Sequence, residues 1–226
     1  MSTPSTPNTP STRNPPNPQN PYVGAYPWLG GRTGVWREIA RYVLRDAPEA
    51  RAVAELGAGY CDFINNVPAP TRFAFDMNPE MARFAAAGVR LRVGDCRGLP
   101  GIDDGALDLV FASNFLEHFT LDEAAALLRD AHRVLRPGGR IALLQPNHAR
   151  SPVHYWDDPT HKTAFDHHNL PALLTSNGFR MVRMTPGLLP FSMKSRLPKI
   201  PILVRWYLRS PIRPMAAQMY AVAERV

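Results

Sequence analysis

The chain has 226 residues, 45% of them apolar, which is enough for one sizeable core with appendages. No apolar run reaches the roughly 18 residues that a membrane-crossing helix needs, and the N-terminus lacks an apolar leader core, so a cytoplasmic protein is expected. The net charge of +7 is local: Lys194, Arg196, Lys199, Arg205, Arg209 and Arg213 stand together with no acidic residue among them, which argues against a nucleic-acid partner.

Residues 1–21 are Pro, Ser, Thr and Asn with almost no apolar side chains, and a disordered tail is expected there. The rest, 22–226, reads as one domain. A glycine-rich stretch with Tyr22, Tyr26 and Trp28 leads to a helix from about Thr33, which that threonine is placed to cap. Val35, Trp36, Ile39, Ala40, Val43 and Leu44 follow at helical spacing. Strands are predicted near 51–56, 71–76, 89–94, 107–112 and 139–145, with helices near 61–66, 79–87 and 120–135. Strands alternating with helices imply an α/β fold built on a doubly wound, mostly parallel sheet. A helix near 167–177 stops at Asn177-Gly178. Strands near 179–184 and 217–224 bracket a basic-apolar insert at about 187–214, with a helix near 201–209.

The segment Val53-Ala54-Glu55-Leu56-Gly57-Ala58-Gly59 runs from an apolar strand into an acid and a Gly-x-Gly turn. About 20 residues on, Phe73-Ala74-Phe75 ends in Asp76, the layout in which a later carboxylate holds ribose hydroxyls. A dinucleotide site would want a third glycine at 62, where this chain has Asp62. A pyrophosphate at that helix start would meet a negative charge, so a ribose-bearing ligand without phosphates fits better than NAD. Gly57, Asp76, Asp95 and Asn114 all fall at predicted strand ends and converge on one crevice.

These pieces resemble the class I S-adenosylmethionine-dependent methyltransferases, of the small-molecule and glycan kind. Val93-Gly94-Asp95-Cys96, Leu107 to Asn114, Leu116-Glu117-His118 and Arg133 to Gly139 follow in the order and at the spacing of that family. The resemblance implies a seven-stranded sheet, S-adenosylmethionine as cofactor, and Glu55, Gly57, Ala58, Gly59, Asp76, Met77, Asp95, Cys96 and Asn114 around it. It also implies that the aromatics at 22, 26 and 28 fold over the cofactor.

The loop from Asn147 to Asp166 faces the same crevice in this fold and is dense in titratable groups. Within it, Asp158 and His161 are the expected acid/base pair, the carboxylate orienting the imidazole. The structural alternative is a turn around Pro159, with the histidines capping the next helix. His118 reads as crevice wall. His154, His161, His167 and His168 fit no common zinc pattern, and the two cysteines, Cys61 and Cys96, have no metal spacing, so neither a metal nor a disulfide is expected. The 193–213 stretch reads as a substrate lid or homodimer contact, or else as a membrane-surface element. The expected activity is methyl transfer to a small molecule or glycan, at oxygen. The alternatives are an inactive, partner-binding relative and an NAD-dependent oxidoreductase.

Overall fold

In a computed structural model describing residues 31–190 and 199–226, seven strands form one sheet. They are β1 (Ala52–Leu56), β2 (Thr71–Asp76), β3 (Val89–Val93), β4 (Leu107–Ser113), β5 (Leu135–Pro146), β6 (Phe179–Pro190) and β7 (Ala216–Arg225). Their order is β3-β2-β1-β4-β5-β7-β6. The five strands from β3 to β5 are parallel, and β7 runs antiparallel to both its neighbours. The doubly wound, mostly parallel seven-stranded sheet is therefore present. The tail at 1–21, the aromatics at 22, 26 and 28, and the start of the insert (191–198) lie outside the described residues.

Two apolar layers cover the sheet. On one face, α2 (Leu121–Val134) and α4 (Asn169–Ser176) bury Leu127, Leu128, Ala131, Leu170 and Leu174 against alternate strand residues such as Leu56, Phe75 and Leu143. On the other, α1 (Arg32–Val43) and α5 (Pro201–Arg209) bury Val35, Ile39, Val43, Val204 and Leu208 against Val53, Phe111 and Tyr220. The period-2 alternation of strands and the 3.6 period of helices each feed one layer. Helix α2 starts with a reciprocal capping box between Thr120 and Glu123.

Several boundaries differ from expectation. Helix α1 begins one residue before Thr33, and its N-cap is Gly31 in the left-handed region (φ 77°), with no side-chain cap. Residues 61–66 do not form an α-helix; only a 3-10 turn at Ile64–Asn66 exists. Cys61 adopts φ +56°, which interrupts a right-handed helix at its start, and Val67 and Pro68 return the chain to extended backbone. Residues 79–87 likewise give only a 3-10 segment, Pro79–Phe84. Its end is held by Asn65, whose side chain donates to the Phe84 carbonyl (2.8 Å) and accepts from the Ala86 N–H (2.9 Å). Strand β5 starts at Leu135 rather than 139, across a register shift where Gly138 takes φ +74°. Strand β6 continues to Pro190 through two further irregularities. A short helix, α3 (Pro152–Tyr155), stands in the long loop after β5.

Candidate active site

The crevice lies outside the carboxyl ends of β1, β2 and β4, where the strand order reverses about β1. The turn after β1 is shaped by two left-handed glycines. At Gly57 (φ +64°) a Cβ would stand 2.5 Å from the Phe115 ring. At Gly59 (φ +49°) it would meet nothing within 4 Å, so this residue leaves open space for a ligand against bare backbone. Ala58 is buried, and its N–H donates to the Phe75 carbonyl at 2.9 Å, which ties the turn to β2.

Asp76 ends β2 and receives a backbone N–H on each oxygen, from Gly59 (2.7 Å) and from Asn78 (2.8 Å). Burial nonetheless holds its pKa above the ordinary value. Each oxygen keeps acceptor capacity for a ribose hydroxyl. Met77 beside it is exposed. Glu55 is not at the surface of the crevice. It is buried beneath the turn, where its carboxylate accepts the Ile64 N–H at 3.0 Å, and desolvation drives its pKa well up. It shapes the turn from below. Asp95 is exposed and bridged by the Arg97 guanidinium and N–H, which lower its pKa. Cys96 points into the core, and burial raises its thiol to about 12. Asn114, at φ +47°, accepts from the Gln218 amide at 2.6 Å. The structure thus gathers Gly59, Asp76, Met77, Asp95 and Asn114 along the strand ends, and places Glu55, Ala58 and Cys96 behind them.

Asp62 acts differently from expectation. It is buried in an ion pair with Arg32 of α1, whose guanidinium also lies 5.0 Å from the Tyr60 ring centre. Its charge is neutralised there rather than presented to a ligand, and no α-helix dipole starts at that point. The charge argument against a pyrophosphate therefore does not hold. Arg32 went unremarked because nothing in the sequence relates positions 32 and 62.

At the end of β4 the chain makes a 3-10 turn, Leu116–His118. The 147–166 loop is strapped to it: the Lys162 N–H donates to the Glu117 carbonyl at 2.7 Å, and the Thr163 hydroxyl to the Phe119 carbonyl at 2.7 Å. This brings His161 Nε2 to 3.9 Å from Glu117 Oε1 and its ring to 5.0 Å from that of His118. Glu117 is fully buried, and neither carboxyl oxygen has a hydrogen bond of normal geometry. Burial pushes its pKa up to about 8, with the nearby Phe115 and Glu117 backbone N–H groups pulling weakly the other way. Desolvation lowers the pKa of both His118 and His161, so both rings are neutral at pH 7.

Asp158 and His161 are brought close, though the carboxylate is engaged by Thr160. Its Oδ1 accepts the Thr160 N–H (2.9 Å) and hydroxyl (2.6 Å). With its proton given to Asp158, the hydroxyl accepts from His118 Nδ1–H at 2.9 Å. Asp158 acts on His161 through charge, favouring the imidazolium. His154 pairs with Asp157 on the surface, and His167 lies against the tilted ring of His168 and meets Asn147, so these three have partners other than His161. Glu117 and Thr160 are the two partners that sequence reading passed over. The signal for Glu117 was an acid flanked by Phe115, Leu116 and Phe119, four residues past an apolar strand.

A seven-stranded sheet of this order, with a glycine turn after β1 and a carboxylate ending β2, defines the class I S-adenosylmethionine-dependent methyltransferase fold. Residues 54–143 match the protein family described as "Methyltransferase domain". A malonyl-[acyl-carrier protein] O-methyltransferase from Dechloromonas aromatica (strain RCB) is 36% identical over 129 residues, which is 53% of this chain and 47% of that protein. The chain thus spans about half the length of that curated relative. An S-adenosylmethionine-dependent methyltransferase from Thermotoga maritima superposes with a TM-score of 0.66 at 18% identity, covering 88% of this chain and 93% of that one. One from Archaeoglobus fulgidus gives 0.61 at 20% identity, covering 84% and 94%. The chain has the class I fold, whose cofactor is S-adenosylmethionine, and its residues 54–143 are similar to the methyltransferase-domain family. The residues present fit that cofactor: bare backbone at Gly59 and a carboxylate at Asp76 for the ribose.

Proposed function

We propose that this protein transfers a methyl group from S-adenosylmethionine to oxygen of a small molecule or glycan. The observation that carries this reading is His161. It sits beside buried Glu117, burial favours its neutral form, and the next residue's N–H straps its loop to the Glu117 carbonyl, four residues past the end of β4. The cofactor supplies an activated methyl carbon on a sulfonium. The chain supplies position and a proton acceptor. His161 takes the acceptor's hydroxyl proton, and the nearby Asp158 charge favours the resulting imidazolium. Glu55 and Ala58 hold the glycine turn in shape, and Asp76 orients the ribose. The name of the Dechloromonas aromatica relative, an O-methyltransferase, supports oxygen as the methylated atom. Two unpaired cysteines support a reducing compartment such as the cytosol. No helix among the described residues is long and apolar enough to cross a membrane.

Calorimetric titration with S-adenosylhomocysteine tests the cofactor half. Micromolar binding is expected, and Asp76→Ala should abolish it; no binding to folded wild type overturns the reading. With an acceptor found by screening, His161→Ala should lower kcat by about 10²–10⁴ while leaving cofactor affinity intact.

A second reading rests on the same cluster. Glu117, His118 and His161 bring ligand atoms within 4.8 Å of one another. Two neutral imidazoles and an orphaned carboxyl form the donor set of a 2-His-1-carboxylate cation site. Dialysis against a chelator separates the two readings. Unchanged turnover leaves His161 as the base, whereas loss restored by one equivalent of a divalent cation assigns the cluster to the ion.

A further inference from the structure

Helix α5 is apolar on two opposite faces. Val204 and Leu208 are buried in the layer shared with α1. Ile202, Leu203 and Trp206 point the other way and are 49%, 44% and 69% exposed. A helix lying on a protein surface normally turns polar residues to water on that side. Ile212, just past the helix, is 79% exposed as well.

The ridge adjoins a basic groove. Between α1 and α5 lies a cleft of 370 Å³ whose lining includes Arg41, Arg45, Arg205 and Arg209. Arg37 and Arg41 stand one turn apart on α1, and Arg45 lies in the turn just past its end. Glu38 is the carboxylate in the cleft, and it is held by Arg205 (2.8 and 3.0 Å) and Arg41 (2.7 Å). Among the described residues Arg45 and Arg209 form no ion pair with an acid. Exposed cations therefore border an exposed apolar ridge that carries a tryptophan.

We propose that this face docks on an anionic bilayer, with lipid phosphates in the arginine groove and Ile202, Leu203 and Trp206 in the headgroup-acyl boundary. A second copy of the chain fits less well. In a two-fold contact through this face the same arginines would oppose one another. Only the N-terminal part of this face lies at the crevice end of the molecule, since Arg45 stands beside Asp46, whose carbonyl accepts from Arg140 near the start of the β5 pairing. Because β7 is antiparallel to β5 and β6 to β7, the chain leaves β6 and re-enters β7 at the carboxyl edge of the parallel strands. The first turns of α1 and α5 touch there, since a Cβ on Gly34 would lie 2.8 Å from Pro201. Docking stands independently of the proposed activity; if that activity also holds, the acceptor is borne on a lipid or lies at the bilayer surface.

Co-sedimentation of the full chain with vesicles tests this. Vesicles of phosphatidylcholine and phosphatidylglycerol at 3:1 should bind at least tenfold more tightly than phosphatidylcholine alone, and 0.5 M NaCl should reverse most of the gain. Trp206→Ser with Leu203→Ser, and separately Arg45→Glu with Arg209→Glu, should each lower binding about tenfold. All four side chains are exposed or at the rim, so thermal melts of both variants should match wild type. Failure to bind anionic vesicles overturns the proposal. So does binding abolished by millimolar inorganic phosphate but unchanged in the Trp206/Leu203 variant, which would mark a free-phosphate site. A dimer lost in that variant, with no vesicle binding, would assign the face to a second copy.

Discussion

At the scale of single residues, the two glycines of the first turn make separable predictions. Gly57→Ala meets both a left-handed backbone and the Phe115 ring, so it should lower stability by more than the roughly 1–2 kcal/mol of the backbone alone, and weaken cofactor binding too. Gly59→Ala pays only the backbone part, because nothing lies within 4 Å of its Cβ. Its methyl would enter the ligand's space, so affinity for S-adenosylhomocysteine should fall at least tenfold while the melting temperature falls only by about 2–8 °C, less than for Gly57→Ala. Paired calorimetry and thermal melts check both. Glu117 makes a pH prediction. Its folded pKa of about 8 lies above the ordinary 4.5, so the folded state holds a proton that the unfolded state gives up. The resulting stabilisation is full below about pH 4.5 and is lost progressively as pH rises from there through about 8. Glu117→Gln keeps the shape without the charge and should be more stable than wild type at pH 9 by about 1–3 kcal/mol, with little difference at pH 5. A wild-type and variant pair with parallel stability profiles would show that the carboxyl is not held protonated.

At the scale of elements, hydrophobic periodicity located every strand of the sheet and the helices α1, α2, α4 and α5. Where it misled, a local backbone feature outweighed composition. Residues 61–66 have helical apolar spacing, yet the left-handed Cys61 and the exit at Val67 leave only a 3-10 turn. Thr33 is a good cap by type, but Gly31 takes the position, with Lys199 packed against it. Helix α5 matched its expected span at 201–209, while the division of its apolar residues into a buried and an exposed side is set by α1 packing against it. Its buried side should carry its attachment. Leu208→Ala empties a fully packed site and should cost about 2–5 kcal/mol in chemical denaturation. Trp206→Ala, on the outer side, should stay within about 0.5 kcal/mol of wild type.

At the scale of the whole molecule, the two cysteines report on integrity. Cys61 and Cys96 are free and buried, and desolvation raises both thiols to about 12. The native protein should resist a thiol reagent at pH 8 and release two reactive thiols in denaturant; fast native labelling would show that the turn after β1 opens readily. The sequence by itself determined the order of the strands along the chain, the glycine turn and the carboxylate at Asp76. These depend on contacts between residues near in sequence and on the period of burial, both of which a linear pattern records. Only the tertiary structure decided which side chains meet. Arg32 neutralises Asp62, Gln218 holds Asn114 from 104 positions away, and His161 comes to rest beside Glu117 rather than standing with the other histidines of its own loop. Such partners are chosen by where the sheet brings strand ends together in space, and spacing along the chain carries no trace of that choice.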